Sequence, residues 1–223
     1  MKKSFIAGAM IVVSTTLLSG CVIHVGNASA MDGNDVSTML GNVDIKSGKH
    51  AGDISSINGN VDIDDHGSAK DISIVNGNLD MQSHVTARRI DVVNGEIFAA
   101  SHVTVTQDVE TVNGDISFDS HGEIGGNIET VNGDIHITDV TIEKDLATVN
   151  GDIDIEGDSV ISGNIVYKSS DSKWIDEDDH MPTLTIGSNV TLHGSVILER
   201  PVDLKIENKD IKGKVIVSYA DAK

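Results

Sequence analysis

A short phrase repeated at near-constant spacing constrains this chain more than anything else in it. The stretches ETVNGDISF (110–118), ETVNGDIHI (129–137) and ATVNGDIDI (147–155) share the hexamer TVNGDI without change. Asn-Gly recurs at Asn58, Asn76, Asn94, Asn113, Asn132 and Asn150, at spacings of 18, 18, 19, 19 and 18 residues. An earlier copy, DVSTMLGNVDI (35–45), aligns with DISSINGNVDI (53–63) and carries Leu40 in the Asn place. At least seven units therefore share one register. Self-similarity at such a period is the signature of a repeat architecture.

Each unit reads I-x-x-V-N-G-x-I-x-I, and aligning the units produces apolar columns. The first runs through Val36, Ile54, Ile72, Ile90, Val109, Ile128, Leu146 and Ile165. The second runs through Met39, Ile57, Val75, Val93, Val112, Val131 and Val149. A third holds Val43, Val61, Leu79, Ile97, Ile116, Ile135 and Ile153, and a fourth lies two residues further on, at Ile45 through Ile155. The last two alternate with polar residues, the period of a half-buried strand. Asn-Gly between alternating apolar residues suits a hairpin meander. It also suits a parallel solenoid with one unit per coil, in which each residue sits about 4.8 Å above its counterpart. Column identity favours the solenoid, because like then stacks on like. Val112 and Ile116 are expected in core stacks, with Asn113-Gly114 as the turn between them. Aromatics make up only 3% of the chain, which suits a narrow interior.

The expected fold is therefore all-β: a parallel, three-sided β-solenoid, right-handed by preference, of about ten coils of 18–19 residues. Ten coils make a rod about 45 Å long. The register continues through SGNIVYK (162–168), HGSVILE (193–199) and KGKVIVS (212–218). One interruption, SSDSKWIDEDDH (169–180), stands where Asn-Gly belongs and reads as an inserted acidic loop. Lysines 205, 209, 212 and 214 place positive charge on the last coils, which discourages end-to-end pairing of open strand edges.

The formal charge of −19 excludes a nucleic-acid partner, which needs a basic footprint. It leaves cation binding, or simple solubility of an extended surface. The N-terminus, MKKSFIAGAMIVVSTTLLSGC, has two lysines, an apolar stretch and then small residues. This is a secretory signal whose apolar run is short for a spanning helix. It ends in Leu18-Ser19-Gly20-Cys21, which looks like the lipobox of bacterial lipoproteins. That resemblance implies lipidation of the Cys21 thiol, with Cys21 becoming the first mature residue. Cys21 is the only cysteine, so no disulfide forms within one chain. Rival readings are cleavage after Ala28-Ser29-Ala30 and an uncleaved anchor. The resulting division is a signal peptide at 1–20, a lipidated tether at 21–34 and a solenoid at 35–223. By resemblance to Gram-negative sorting, Val22 after the cysteine points to the outer membrane.

Three sets of residues are candidates for chemistry. Asp115, Asp134 and Asp152 follow Asn-Gly on successive coils, and Asp154 lies beside them. Stacked carboxylates repel modestly in water and a cation relieves the repulsion. Ca²⁺ is the ion such oxygens suit, and a solvated acidic edge is the alternative. His66, His84, His102 and His121 each lie eight residues after the unit's Asn, with Val140 and Asp158 in the next places. Such a ladder can share Zn²⁺ or serve the turn structurally. The inserted loop carries the only tryptophan, Trp174, beside Asp176, Glu177, Asp178 and Asp179. It can grip a sugar ring or a partner protein, or fold back on the rod. No nucleophile elbow, paired metal-ligand motif or phosphate loop appears. Arg88-Arg89 is the nearest thing to the basic catalytic pair of β-helical polysaccharide lyases.

The V-N-G-D-I repeats at 112–116, 131–135 and 149–153 resemble the bacterial adhesin-like β-strand repeat proteins of unknown function. The C-terminal Gly-x-Val/Ile-Ile pattern is similar, more weakly, to bactofilins, which polymerise through β-helix ends. The expectation is a non-enzymatic, membrane-anchored lipoprotein without a cofactor, acting as an envelope structural or adhesin-like interaction module. The alternatives are a polysaccharide- or Ca²⁺-binding module and a self-polymerising scaffold. The expected partners are the membrane, through Cys21, and an envelope glycan or protein.

Overall fold

A computed structural model of the chain describes residues 22–25, 28–29, 33–169 and 181–219. The chain winds into a parallel β-solenoid of about nine turns, close to the ten expected. Three sheets form its sides. The first face has eleven strands, the second ten and the third six. A typical coil contributes Val109–Asn113 to the first face, Ile116–Phe118 to the second and Glu123–Ile124 to the third.

Every strand pairs in parallel with its counterpart one coil away, in register. Ile90 sits on Val109 and Asn94 on Asn113. Ile116 sits on Ile135, and Glu123 on Thr141. The sequence repeat is thus the condition for stacking, since each coil offers its neighbour the same side chains at the same positions. The interior is filled by the first, third and fourth columns. Ile54, Ile72, Ile90, Ile128, Ile137, Ile153 and Ile155 are fully buried. From the third face Val105, Ile142 and Ile161 close the triangle.

The second column is a correction. In Ile128–Asn132 the residues Ile128 and Thr130 are buried, while Glu129 and Val131 are only partly so. Val112 likewise lies on the outer side of Val109–Asn113. The reason is parity. The second column lies three residues after the first, and an odd offset on a strand points to the opposite face. Met39 is 49% exposed and Ile57 43%. The inward position two residues after the first column is held by Thr38, Ser56, Ile74, Val92, Thr111, Thr130 and Thr148, all buried. Two of its hydroxyls serve the turns: Ser56 Oγ donates to Gly59 O at 2.9 Å and Thr130 Oγ1 to Gly114 O at 3.4 Å, whereas those of Thr111 and Thr148 are buried without a partner among the described residues.

Asn-Gly turns the chain from the first face to the second. Gly114 has φ +154°, and a Cβ there would lie 2.0 Å from Gly95 O. Glycine is therefore obligatory at this close approach. The insertion falls, in the chain, at the place of this same corner. The first-face strand Ile165–Tyr167 precedes it and the second-face strand Thr183–Ile186 follows.

The two ends of the rod are finished differently. Within the stretch expected as tether, Val22–Val25 and Ala28–Ser29 pair with the first full coil. At the far end a short helix, Lys209–Lys212, lays Ile211 over the core, 2% exposed. Asn208 caps it by accepting from Asp210 N and also donates to Val190 O at 2.9 Å. The last first-face strand, Val215–Val217, pairs with Val196–Leu198 on one edge.

Candidate functional site

The corners carry the polar side chains, so they are where chemistry would sit. At the first corner the Asn side chains form a ladder. Asn76 donates Nδ2 to Asn58 Oδ1 at 3.1 Å, and Asn94, Asn113, Asn132 and Asn150 each repeat this to the coil before at 2.9 Å. The next residue forms a second ladder. Asp115 Oδ1 accepts from Asp134 N, Asp134 Oδ1 from Asp152 N and Asp152 Oδ1 from Thr183 N, each at 2.8 Å. In earlier coils Asn42, Asn60 and Asn78 do the same with amide oxygens, at 3.0–3.1 Å. Asn and Asp exchange freely here, so the ladder needs an acceptor oxygen rather than a charge. One oxygen each of Asp115, Asp134 and Asp152 is committed to the next coil's backbone.

Asp154 is not brought to this corner. It lies on the second face, 3.3 Å from His136 Nδ1. Among the described residues, no three His, Cys, Asp or Glu side chains converge as metal ligands would.

The Asn ladder ends in a cleft of about 430 Å³ lined by Asn132, Asp134, Asn150, Gly151, Asp152, Pro182 and Arg200. Arg200 closes the ladder, donating Nη1 to Val149 O at 2.7 Å and to Asn150 Oδ1. Beneath it the buried Tyr167 hydroxyl donates to Thr183 O at 2.9 Å. Burial pushes this phenol far above its ordinary value, and the nearby Asp152 carboxylate adds to the effect.

The histidine ladder forms as expected at the second corner. His66, His84, His102 and His121 stack with ring centroids 4.7–4.8 Å apart. All four adopt φ of 59–64°, the left-handed conformation a tight turn needs. The next place belongs to Asp139, φ 53°, because Glu123 pairs with Thr141. The expected Val140 is instead buried in the core. The stacked geometry also argues against a shared ion. Imidazole lone pairs lie in the ring plane, and His102 and His121 are within 6° of parallel, so no lone pair points from one ring face to the next.

Two further polar columns line the rod, and only the first of them escaped the sequence reading. One lies at the third corner, immediately before the first apolar column. There Asp108 Oδ1 accepts from Asn127 N, Asn127 Oδ1 from Asp145 N and Asp145 Oδ1 from Asn164 N, at 2.7–3.1 Å. Arg88 and Arg89 border this corner and are spent on ion pairs: Arg88 with Asp71 at 2.5 Å, Arg89 with Asp91, Asp108 and Glu110 at 2.8–3.2 Å. The other column is Asp44, Asp62 and Asp80, which stack in register on the outer side of the second face. Burial pushes the Asp62 carboxyl up, and Asp44 and Asp80 push it further. Like-charge stacking is thus felt at Asp62. The signal was present as VDI, VDI and LDM in consecutive units.

Cys21, Trp174, Asp176, Glu177, Asp178 and Asp179 lie outside the described residues. No family profile, curated protein or solved structure matches the chain.

Proposed function

We propose that this chain is a lipid-anchored, non-catalytic rod of the bacterial cell envelope that presents an interaction surface at a distance from its membrane. The observation that carries the reading is the use of the corner side chains. Asn, Asp and His at successive turns bind or stack coil upon coil, which is what a stiff spacer requires. The lipobox-like Leu18-Ser19-Gly20-Cys21 supplies the anchor, and Val22 after it favours the outer membrane. The likeness of the V-N-G-D-I repeats to adhesin-like strand repeats agrees with an interaction role. Metabolic labelling with a palmitate analogue tests the anchor. The wild-type chain should label and fractionate with membranes, and Cys21→Ala should do neither. Equal labelling of both removes the anchor from the proposal. Capture of partners from native envelopes, with and without residues 169–180, tests the interaction role.

A second reading rests on the cleft at the end of the Asn ladder. Asp134 and Asp152 stand there with Arg200 beside the insertion, a mixed donor and acceptor set that suits sugar hydroxyls or Ca²⁺. Calorimetry with Ca²⁺ and with envelope glycans decides it. A silent titration with an unchanged melting temperature sets this reading aside.

A further inference from the structure

We infer that the first face is a docking surface for a second copy of this chain, two rods lying side by side and parallel with their outer apolar stripes in register. The stripe is the second column, turned outward. It runs from Met39 and Ile57 through Val75, Val93 and Val112 to Val149, unbroken over seven coils. Beyond Val149 the outer apolar surface continues one column over, at Val166, Ile197 and Ile216, the last 49% exposed. Outward positions of a solvated sheet are ordinarily polar. A contiguous apolar band of this length marks an interaction site.

Three observations select a second copy as the occupant. The first is periodicity. The side chains recur once per coil, about 4.8 Å apart, and a sheet with the same repeat can interdigitate with them along the whole length. The second is area. Eleven strands of about five residues make a face of about 50 by 16 Å, or about 800 Å², which is what each partner of a stable complex contributes. The third is charge. The chain carries −19, so a copy can approach only where acid is neutralised. On the first face Asp91 and Glu110 share Arg89 with Asp108, and Glu129 pairs with Lys168 at 2.7 Å, so each acid beside the stripe touches a cation while the column keeps an acidic excess. On the second face Lys46 lies 3.6 Å from Asp44 and 3.8 Å from Asp64, and its charge only partly offsets the acidic neighbours of Asp62.

Charge also sets the direction. The acidic column lies to one side of the stripe, two residues before it, and the Asn ladder lies to the other, one residue after it. A two-fold axis along the rods sets each acidic column against the partner's Asn side. An axis across the rods sets acid against acid. The parallel arrangement also leaves both N-termini at the same end. The inference rests on the fold and stands whether or not Cys21 is lipidated.

The test is thiol crosslinking in the full chain, expressed in a bacterial host and treated in intact envelopes with a short bismaleimide. The single substitutions Val75→Cys, Val93→Cys and Val131→Cys lie along the stripe, and Ser117→Cys lies on the outer side of the second face. Sheets packed about 10 Å apart leave facing Cβ atoms of residues on the axis about 7 Å apart, too far for a direct disulfide but within the span of such a reagent. All three stripe variants should appear mainly as covalent dimers, at least fivefold above Ser117→Cys and above the wild-type chain with its single Cys21. Trapping of at most one stripe variant means an antiparallel or offset pair and overturns the parallel assignment. Equal trapping at Ser117→Cys, or none on the stripe, overturns the docking surface. Light scattering of the detergent-extracted chain is the second measurement. The wild type should have the mass of two chains, and the combined variant Val93→Lys, Val112→Lys, Val131→Lys that of one, with an unchanged β-sheet circular dichroism spectrum. A wild type of single-chain mass overturns the proposal.

Discussion

The first and second faces are built from the same coils, in the same parallel register, over the same apolar interior, yet they present opposite surfaces. The first carries an outer stripe of Val, Ile and Met beside acids that pair with Arg89 and Lys168. The second begins with Asp44, Asp62 and Asp80 stacked on one another, and continues with Phe98, Ser117, His136 and Asp154. The half-buried carboxyls of both faces are pushed up. Burial raises Glu110 on the first face, Arg89 pulls it back, and Asp91, Glu129 and Asp108 raise it again. Burial raises Asp62 on the second, and its acidic neighbours add to the rise. A solenoid interior dictates every second residue of a strand. The intervening residues are free of the core, so two faces of one rod can be specialised separately.

The comparison fails most completely if the corner joining the two faces is opened. Gly114→Val puts a side chain where a Cβ would already lie 2.0 Å from Gly95 O. It should cost about 4 kcal/mol or more, read as an early transition in a circular dichroism melt. A melt like that of the wild type would mean that the corner is loose. The inward and outward sides of the first face are separated next. Ile128→Ala should cost about 2–5 kcal/mol, because Ile128 is fully buried and leaves a cavity. Val131→Ala, on the outer side, should cost under about 1 kcal/mol in a single rod. Equal losses would contradict the parity argument.

The acid ladder is expected to respond less. Asp134→Ala removes the acceptor for Asp152 N and should lose about 1 kcal/mol. Asp134→Asn keeps an acceptor and should stay within a few tenths of a kcal/mol of wild type, as Asn60 and Asn78 imply. If Asn behaves like Ala, charge matters at this corner after all. The smallest effect belongs to Asp62. Its folded carboxyl titrates above the ordinary 3.8, so the folded state binds its proton more readily than the unfolded state does. Stability from this group therefore rises as pH falls through the folded value and levels off below about 3.8. Asp62→Asn should raise the melting temperature at pH 7 by about 1–2 °C and flatten that segment of the pH profile. A lowered melting temperature would mean that Asp62 is favourably paired.

Much of this molecule could be read before any coordinate was known. A unit repeated in register can bury its apolar columns only by stacking, so the parallel ladder, the turn at Asn113-Gly114 and the place of the insertion followed from spacing. The stacking of His66, His84, His102 and His121 followed too, since equal spacing puts equal residues one above another. What the spacing left open was direction. Val112 and Thr111 compete for the interior, and apolarity alone favours valine. The fold seats Thr111 because its strand position has the parity of Val109, even though its hydroxyl is buried there without a partner among the described residues. The carboxylates were open for the same reason. A sequence shows that Asp115 and Asp134 stack, but the backbone N–H that occupies Asp115 belongs to the next coil. Its position exists only once the coils are closed upon one another.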